Sequence, residues 1–341
     1  MRKTTIFFII IDILVIFCFV LFYGPYEEFR NIIVNTAMVT KSHQYIAYTF
    51  YSEETVNNIL SLNHFIPVEG NVNLDEIVID TSEKDTYDNK YDEELLTRDE
   101  GNDDYKYLKV KVGKYNAHLV AIYNPENVRL ITSKSFNTGK GQETIPKMCK
   151  RYEGSVCING GGFKDPDGWG SDIPLGYVIK DGEVIWAEDN SRQNIIGLTY
   201  DHKLLLVNAT GDEAIAMGMR DGLQFGPFLI VNGETIQYTS SVGGYDRAAR
   251  VAIAQRKDGV ILFLATEGTH GSGPTMKEVI DTLVLYGAYN AANLDGGTSS
   301  QMVINNKLVN NPKNVFGQSV TGGRRVVTGF GLLPNQKEDI E

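Results

Sequence analysis

The stretch Asn293-Leu294-Asp295-Gly296-Gly297-Thr298-Ser299-Ser300 concentrates the chemistry of this chain. A carboxylate directly after a short apolar run, followed by two glycines and three hydroxyls, describes a buried strand that ends in a tight, side-chain-poor turn. A ligand can approach such a turn along its backbone. An Asp-Gly-Gly connection between strands has the same composition, so the rest of the chain must show whether the turn has company. Glu267 supplies a second carboxylate beside a glycine-rich segment. Arg250, and after it Arg247 and Arg325, are the cationic candidates, because a planar guanidinium grips a phosphate through two parallel hydrogen bonds. Asn159, at the head of Asn159-Gly160-Gly161-Gly162-Phe163, offers an amide to a ligand; its plain alternative is an Asn-Gly turn. Gly160, Gly161 and Gly226, with Gly296, Gly297, Thr298 and Ser299, complete the groups assigned to substrate, and Asp295, Glu267 and Arg250 are the catalytic candidates.

These residues need elements to hold them. Thr275-Met276-Lys277-Glu278 fits a capping box, Val279, Ile280, Leu283 and Val284 form an apolar stripe, and Gly287 stops the helix. This helix, over Thr275 to about Tyr286, runs straight into Ala291-Ala292-Asn293-Leu294-Asp295. The preceding Gly268 to Gly273 segment has the glycines of a phosphate-binding P-loop, but Pro274 stands where that loop needs lysine. What remains is a turn whose free amides suit an anionic oxygen. A second helix is expected from Thr144 to Tyr152.

Most of the remaining order is strand. Tyr107 to Val112 and Ala117 to Tyr123 have strand composition, the second with the sparse polar content of a buried strand. Asp181-Gly182, Asp201-His202, Asn232-Gly233, Asp258-Gly259 and Asn305-Asn306 each sit between β-forming runs, as hairpin turns do. The fold class that follows is α+β: a β-rich, mostly antiparallel sheet domain with a few packed helices, preceded by an N-terminal transmembrane helix and a helical stalk.

The transmembrane helix is the apolar run from Ile6 to Tyr23, which Arg2 and Lys3 precede. Asp12 costs about 2.5 to 3.5 kcal/mol at a helix centre, and the Ile, Leu, Phe and Val around it, at about −0.3 to −0.6 kcal/mol each, outweigh it. No small-x-small cleavage signature follows, which favours an uncleaved anchor over a removed signal peptide. Basic residues on the short side keep the N-terminus cytoplasmic and send the body outward, as a single-pass protein of the cell membrane. Residues 1–24 are then tip and anchor, and 25–82 a juxtamembrane helical region, with Ser52 as N-cap of a helix restart. Residues 83–104, rich in acid and poor in large apolar side chains, are expected to be a linker; 105–333 form the β-rich domain and 334–341 a polar tail. For Cys149 and Cys157 two readings stand: a bridge closing a short loop in an oxidising exterior, or two buried thiols. The net charge of −11 argues against nonspecific nucleic-acid binding.

Seven segments, in order, resemble the phosphodiester glycosidase family: Asn159 to Phe163; Leu175-Gly176 with Gly182; Gly226 to Ile230; Arg250 to Ala254 with Asp258-Gly259; Glu267-Gly268 with Gly271 and Thr275; Asn293 to Ser300; and Arg324 to Val327. The resemblance spans Tyr105 to Leu333. It departs from the family pattern at the inserted Gly162, at Ala254 in place of glycine and at Thr298 in place of a third glycine, which bears on sugar fit. The segment through Tyr51, with Thr36-Ala37-Met38, is similar to that of membrane-anchored bacterial members associated with exopolysaccharide. The resemblance implies hydrolysis of a glycosyl 1-phosphodiester, N-acetylglucosamine-1-phosphodiester-like, in cell-envelope or exopolysaccharide glycans, with Asp295 and Glu267 as the carboxylate pair. The alternative is a non-catalytic glycan-binding or envelope-assembly module of the same fold. No cofactor is required by this chemistry. Asp165 to Asp172 has the oxygen-rich look of a calcium loop without its full ligand spacing, so an ordinary surface loop or a flap over the pocket competes with it, and a divalent cation is left open. The sequence assigns no oligomeric state.

Overall fold

The computed structural model describes residues 3–38, 44–61, 63–66, 72–134, 136, 138, 143–165, 172–240, 247–269 and 271–335. The chain divides into two compact units, residues 1–65 with 238–245, and residues 66–237 with 246–341.

The first unit is helical: α1 is Lys3–Tyr23, α2 Glu27–Met38, α3 Gln44–Phe50 and α4 Glu53–Ser61. Thr4–Tyr23 is long and apolar enough to cross a bilayer, and at this position it is compatible with an anchor or a signal sequence. Its large apolar side chains are mostly exposed, whereas Val34, Ala37, Ala47, Tyr51, Val56 and Ile59 form a small core among α2, α3 and α4. Ser52 Oγ accepts from Thr55 N at 3.2 Å, capping α4 as its sequence position requires.

Three large antiparallel sheets and a two-stranded one, Glu143–Thr144 with Arg325–Val326, build the second unit. A seven-stranded sheet runs in the order Glu234–Thr235, Phe228–Val231, Ala288–Leu294, Val251–Arg256, Ile261–Thr266, Tyr115–Ile122, Tyr105–Val112. A five-stranded sheet orders Lys307–Leu308, Met302–Ile304, Val156–Asn159, Thr328–Leu332 and Val128–Thr132. The other five-stranded sheet orders Leu204–Ala209, Gln193–Thr199, Met219–Gln224, Tyr177–Lys180 and Glu183–Ala187. Side chains of all three meet in one core, with Val251, Phe263 and Leu294 from the first, Ile158 and Phe330 from the second, and Ile196 and Leu223 from the third. The expected hairpins form. Asp181-Gly182, Asn232-Gly233 and Asn305-Asn306 have both residues left-handed, whereas the other two turns use one each, His202 and Gly259.

Four further helices decorate the sheets: α5 (Lys90–Leu96), α6 (Ile145–Arg151), α7 (Gly211–Ala216) and α8 (Met276–Leu285). The expected capping box of α8 is present, with Glu278 N donating to Thr275 Oγ1 at 3.1 Å and Thr275 N to Glu278 Oε2 at 2.7 Å. The acidic stretch expected to be a linker carries α5, whose buried Leu95 and the 2.8 Å pairing of Asp92 with Arg256 fasten it to the second unit. Paired in this way, an acidic residue serves as an attachment point.

Cys149 of α6 and Cys157 of the Val156–Asn159 strand form a disulfide across a sequence separation of 8 residues. Replacing both with Ala should lower unfolding free energy by about 2 to 3 kcal/mol, the entropy of so short a loop. Chemical denaturation of the double variant beside the oxidised wild type checks this; equal midpoints would leave the bridge without a stabilising role.

Candidate active site

Strand register brings the candidate residues to one sheet end. Val251 pairs with Leu294, so one step further Arg250 lies opposite Asp295. On the next strand Thr266 N donates to Arg250 O at 2.9 Å, and Arg250 N donates to Thr266 Oγ1 at 2.8 Å. Glu267 follows Thr266, so the two carboxylate residues leave the same end of the sheet two strands apart, roughly 10 Å between Cα atoms at about 4.8 Å per strand.

The Asp-Gly-Gly turn is clamped from two sheets. Gly297 N donates to Ala249 O at 2.7 Å, and a Cβ on Gly296 would stand 2.5 Å from that same oxygen. Gly297 has φ +57°, so close approach and backbone conformation together explain the two glycines. From the five-stranded sheet containing Val156–Asn159, Gly160 O accepts from Asp295 N at 2.9 Å and Asn159 Nδ2 donates to Asp295 O at 2.6 Å. Asn159 Oδ1 accepts from Gln301 N at 2.9 Å. Both ends of the Asn159 amide thus engage main chain, and the residue is 1% exposed; it holds the turn in place. Gly160 and Gly161 are close-packing positions, where a Cβ would come 2.6 Å from Leu223 Cδ2 and 2.8 Å from Gln224 O respectively. Gly226 precedes a cis proline, and its carbonyl accepts from Asn293 Nδ2 at 3.0 Å.

Asp295 is half-buried as a residue, with its carboxyl set into the clamp. Burial pushes its pKa up to about 6, against the opposing pull of the Ser299 hydroxyl, the Arg324 guanidinium and the Gly296 amide, while Asp165 adds to the rise. Arg324 Nη1 donates to Ser299 Oγ at 3.4 Å, Nη2 pairs with Asp165, and the guanidinium lies 5.1 Å from the Phe163 ring centroid. This places a cation, held by Asp165 and Ser299, beside a carboxylate of raised pKa. Gln301, fully buried, fixes the backbone beneath it by donating through Nε2 to Arg324 O at 2.8 Å and Ser299 O at 3.3 Å.

The other candidates have different surroundings. Arg325 is exposed on the two-residue strand Arg325–Val326. Arg247 Nη1 donates to Glu278 Oε2 and Gly273 O, each at 3.1 Å, at the N-terminus of α8. Glu267 Oε1 accepts from Asn311 N at 2.9 Å and lies 3.3 Å from His118 Nε2; His118 Nδ1 lies 2.7 Å from Tyr107 Oη. In the tautomer consistent with this line, Tyr107 donates to Nδ1 and Nε2–H donates to Glu267. Thr298 is half-buried.

Arg324, Gln301, His118 and Tyr107 were absent from the sequence-derived site. His118 had one signal, as the single ionisable residue in an otherwise apolar strand. Arg324 had its place in the family-like segment Arg324 to Val327 and its adjacency to Arg325, and which of two neighbouring arginines faces the turn depends on where the following strand begins. Of the loop with calcium-like composition, 166–171 lie outside the described residues. Asp165 pairs with Arg324, and Asp172 Oδ2 accepts from Thr138 N and Oγ1 at 3.2 and 3.1 Å. Among the described residues, no group of three or more His, Cys, Asp or Glu is gathered for a metal.

Residues 152–333, just over half of the chain, match the phosphodiester glycosidase family. The chain belongs to the phosphodiester glycosidase family. The match takes in Asn159, Glu267, Asp295 and Arg324, and leaves out the strands that carry Tyr107 and His118. A Bacillus subtilis (strain 168) protein described as SPbeta prophage-derived uncharacterized protein YomE is 29% identical over 192 residues, which cover 53% of this chain and 29% of that one. The chain therefore spans less than a third of that relative's length. Among solved structures, the zebrafish N-acetylglucosamine-1-phosphodiester alpha-N-acetylglucosaminidase catalytic domain, auto-inhibited by its pro-peptide, superposes with a TM-score of 0.55 at 20% identity. The superposition covers 68% of this chain and 82% of that domain, and it establishes the shared glycosidase-family fold.

Proposed function

We propose that this family member is a membrane-anchored extracytoplasmic hydrolase of a glycosyl 1-phosphodiester, N-acetylglucosamine-1-phosphodiester-like, in envelope or exopolysaccharide glycans. The observation that carries the proposal is the Asp295 carboxylate set beside the Arg324 guanidinium on a turn clamped by two sheets. A sugar 1-phosphodiester leaves as a stabilised phosphate anion, so its cleavage at the anomeric carbon needs little proton donation. It needs a cation for the phosphate and a carboxylate for the positive charge that develops on the sugar. Arg324 is the phosphate cation. Asp295 acts ionised on the anomeric centre, and its raised pKa makes it the more basic there. Glu267, held by His118 and the Asn311 amide, directs the attacking water. Arg250 is retained as a secondary phosphate contact, and Thr298 and Ser299 as hydroxyl donors toward the substrate.

The location rests on α1 and the disulfide. Arg2 and Lys3 keep the N-terminus inside, and a cystine in the second unit suits an oxidising exterior. Full-length protein in detergent, given α-N-acetylglucosaminyl phosphodiesters and related cell-envelope phosphodiesters with and without chelator, should release free sugar. Absence of release from every substrate under both conditions would overturn the proposal, and binding without release would make the chain a glycan-binding module.

A further inference from the structure

The segment from Asn310 to Gly323 leaves the candidate site and returns to it. At its start, Asn310 Nδ2 donates to Ser300 O at 2.8 Å, and Asn311 N donates to Glu267 Oε1 at 2.9 Å. At its end, a Cβ on Gly323 would stand 1.9 Å from Gln301 Oε1, so that only glycine fits where the chain turns into Arg324. Between these anchors the tip is tied to itself. Asn314 Oδ1 accepts from Phe316 N and Gln318 N, both at 3.0 Å. Asn314 N donates to Gln318 O at 2.9 Å, Val320 N donates to Pro312 O at 2.8 Å, and Lys313 bridges to Ser319. Near the tip, a Cβ on Gly317 would lie 3.9 Å from Thr269 Cγ2, two residues beyond Glu267.

This framework carries Phe316 outward with 84% of its surface exposed, the most of any large apolar side chain among the described residues, beside a half-exposed Val315. A lone exposed apolar residue needs no explanation in general. Here its setting supplies one, because both feet of the loop stand on candidate site residues. Turn tips favour Gly, Asn, Asp and Ser, and the local bonding in this one turns the phenyl ring out to solvent. The loop from Asn310 to Gly323 contains no carboxylate; it offers Asn, Gln, Ser and Thr groups with one lysine. That chemistry tolerates a phosphate at its foot and hydroxyls along its side.

Resting on the functional reading above, we infer that Phe316 is a stacking platform for a pyranose ring on the aglycone side of the scissile phosphate. One face of a pyranose presents C–H groups that are apolar and weakly positive, and an aromatic face is negative at its centre, so the two stack. The loop runs directly into Arg324 through Gly323, so a phosphate held by Arg324 stands at the foot of the loop and a sugar linked beyond it comes within the reach of the loop. The platform selects for glycan over simple alkyl phosphodiesters.

The test uses full-length protein in detergent in an Asp295→Asn background that removes turnover, with two probes: methyl α-N-acetylglucosaminyl phosphate, and the α-N-acetylglucosaminyl phosphodiester of the 6-hydroxyl of a methyl mannoside. Calorimetry should give weaker binding of the mannoside probe by about fivefold in Phe316→Ala, with recovery in Phe316→Trp and no change for the methyl probe. Equal loss for both probes, or no loss for either, overturns the platform alone. Binding of neither probe by any form overturns the functional reading with it. If Phe316→Ala instead lowers association with phosphatidylcholine vesicles at unchanged sugar affinity, the ring is a membrane contact and the sugar assignment falls.

Discussion

Asp295→Asn should lower kcat/KM by about a thousandfold while raising the melting temperature at neutral pH. The rate loss follows from removing the only negative charge that the clamped turn itself carries; Asn keeps the shape and cannot stabilise a glycosyl cation. The stability gain follows from linkage. An unfolded Asp ionises near its ordinary value of about 3.9, whereas burial raises the native group to about 6. Below pH 4 both states hold the proton and the group is neutral to stability. As pH rises from about 4 to about 6 the unfolded chain releases its proton first, so stability falls through that window and stays lower above it. Asn does not titrate, so the variant should overtake the wild type by about 1 to 3 kcal/mol, less the bonds that Ser299 and the Gly296 amide make to the carboxylate. Wild-type kcat/KM should rise with pH through about 6, since the ionised form is the working one. Thermal melts from pH 4 to 8, together with a pH–rate profile, check both halves. Retained turnover would move catalysis elsewhere, and a variant less stable than wild type at pH 7 would contradict the buried-charge account.

Arg324→Met carries the second large effect, a loss of about a hundredfold or more in kcat/KM. Methionine keeps the length and apolar character of the arginine stem and removes the guanidinium that lies over Phe163 and meets Ser299 and Asp165. Leaving Asp165 without its partner beside Asp295 should raise the Asp295 pKa further and move the acidic limb of the pH profile upward. Arg324→Lys should recover part of the charge and little of the geometry. Arg325→Met, at the exposed neighbouring position, should leave kcat/KM within about twofold. An equal loss at both positions would show that the protein supplies a diffuse positive field and no aimed cation.

The legible parts of this chain are those coded locally. Asn305-Asn306 and Asp181-Gly182 announce hairpins because few other residues accept two left-handed positions, and α8 announces itself through a capping box and stripe. By the same logic α7 was open to detection, since Thr210 and Glu213 form a capping box of their own, but its six residues give too little periodicity to stand out. Helix α5 was hidden for a different reason: Asp92 and Arg256 are 164 residues apart, and no local pattern reveals that an acidic residue will be neutralised by a distant strand. In the site, Asp295 was visible because an apolar strand leads straight into it. The work of Asn159 was not, since an amide that holds two main-chain segments together reads in sequence like an amide offered to a ligand.

The seam those segments form has a kinetic consequence. The Asp295 amide bonds to Gly160 of one sheet, while two residues on the Gly297 amide bonds to Ala249 of another. The Gly160 bond joins two sheets and opens when they part, even if every strand stays paired. The Ala249 bond stays with the seven-stranded sheet, since Ala249 and Gly297 flank its paired strands Val251–Arg256 and Ala288–Leu294. Amide hydrogen exchange at Asp295, faster than at Gly297, would therefore register breathing between layers, and the Asp-Gly-Gly turn would loosen from its second sheet before the scaffold melts. A site built this way can come apart on gentle warming with the circular dichroism intact and reform on cooling, with the docking of two sheets as its switch.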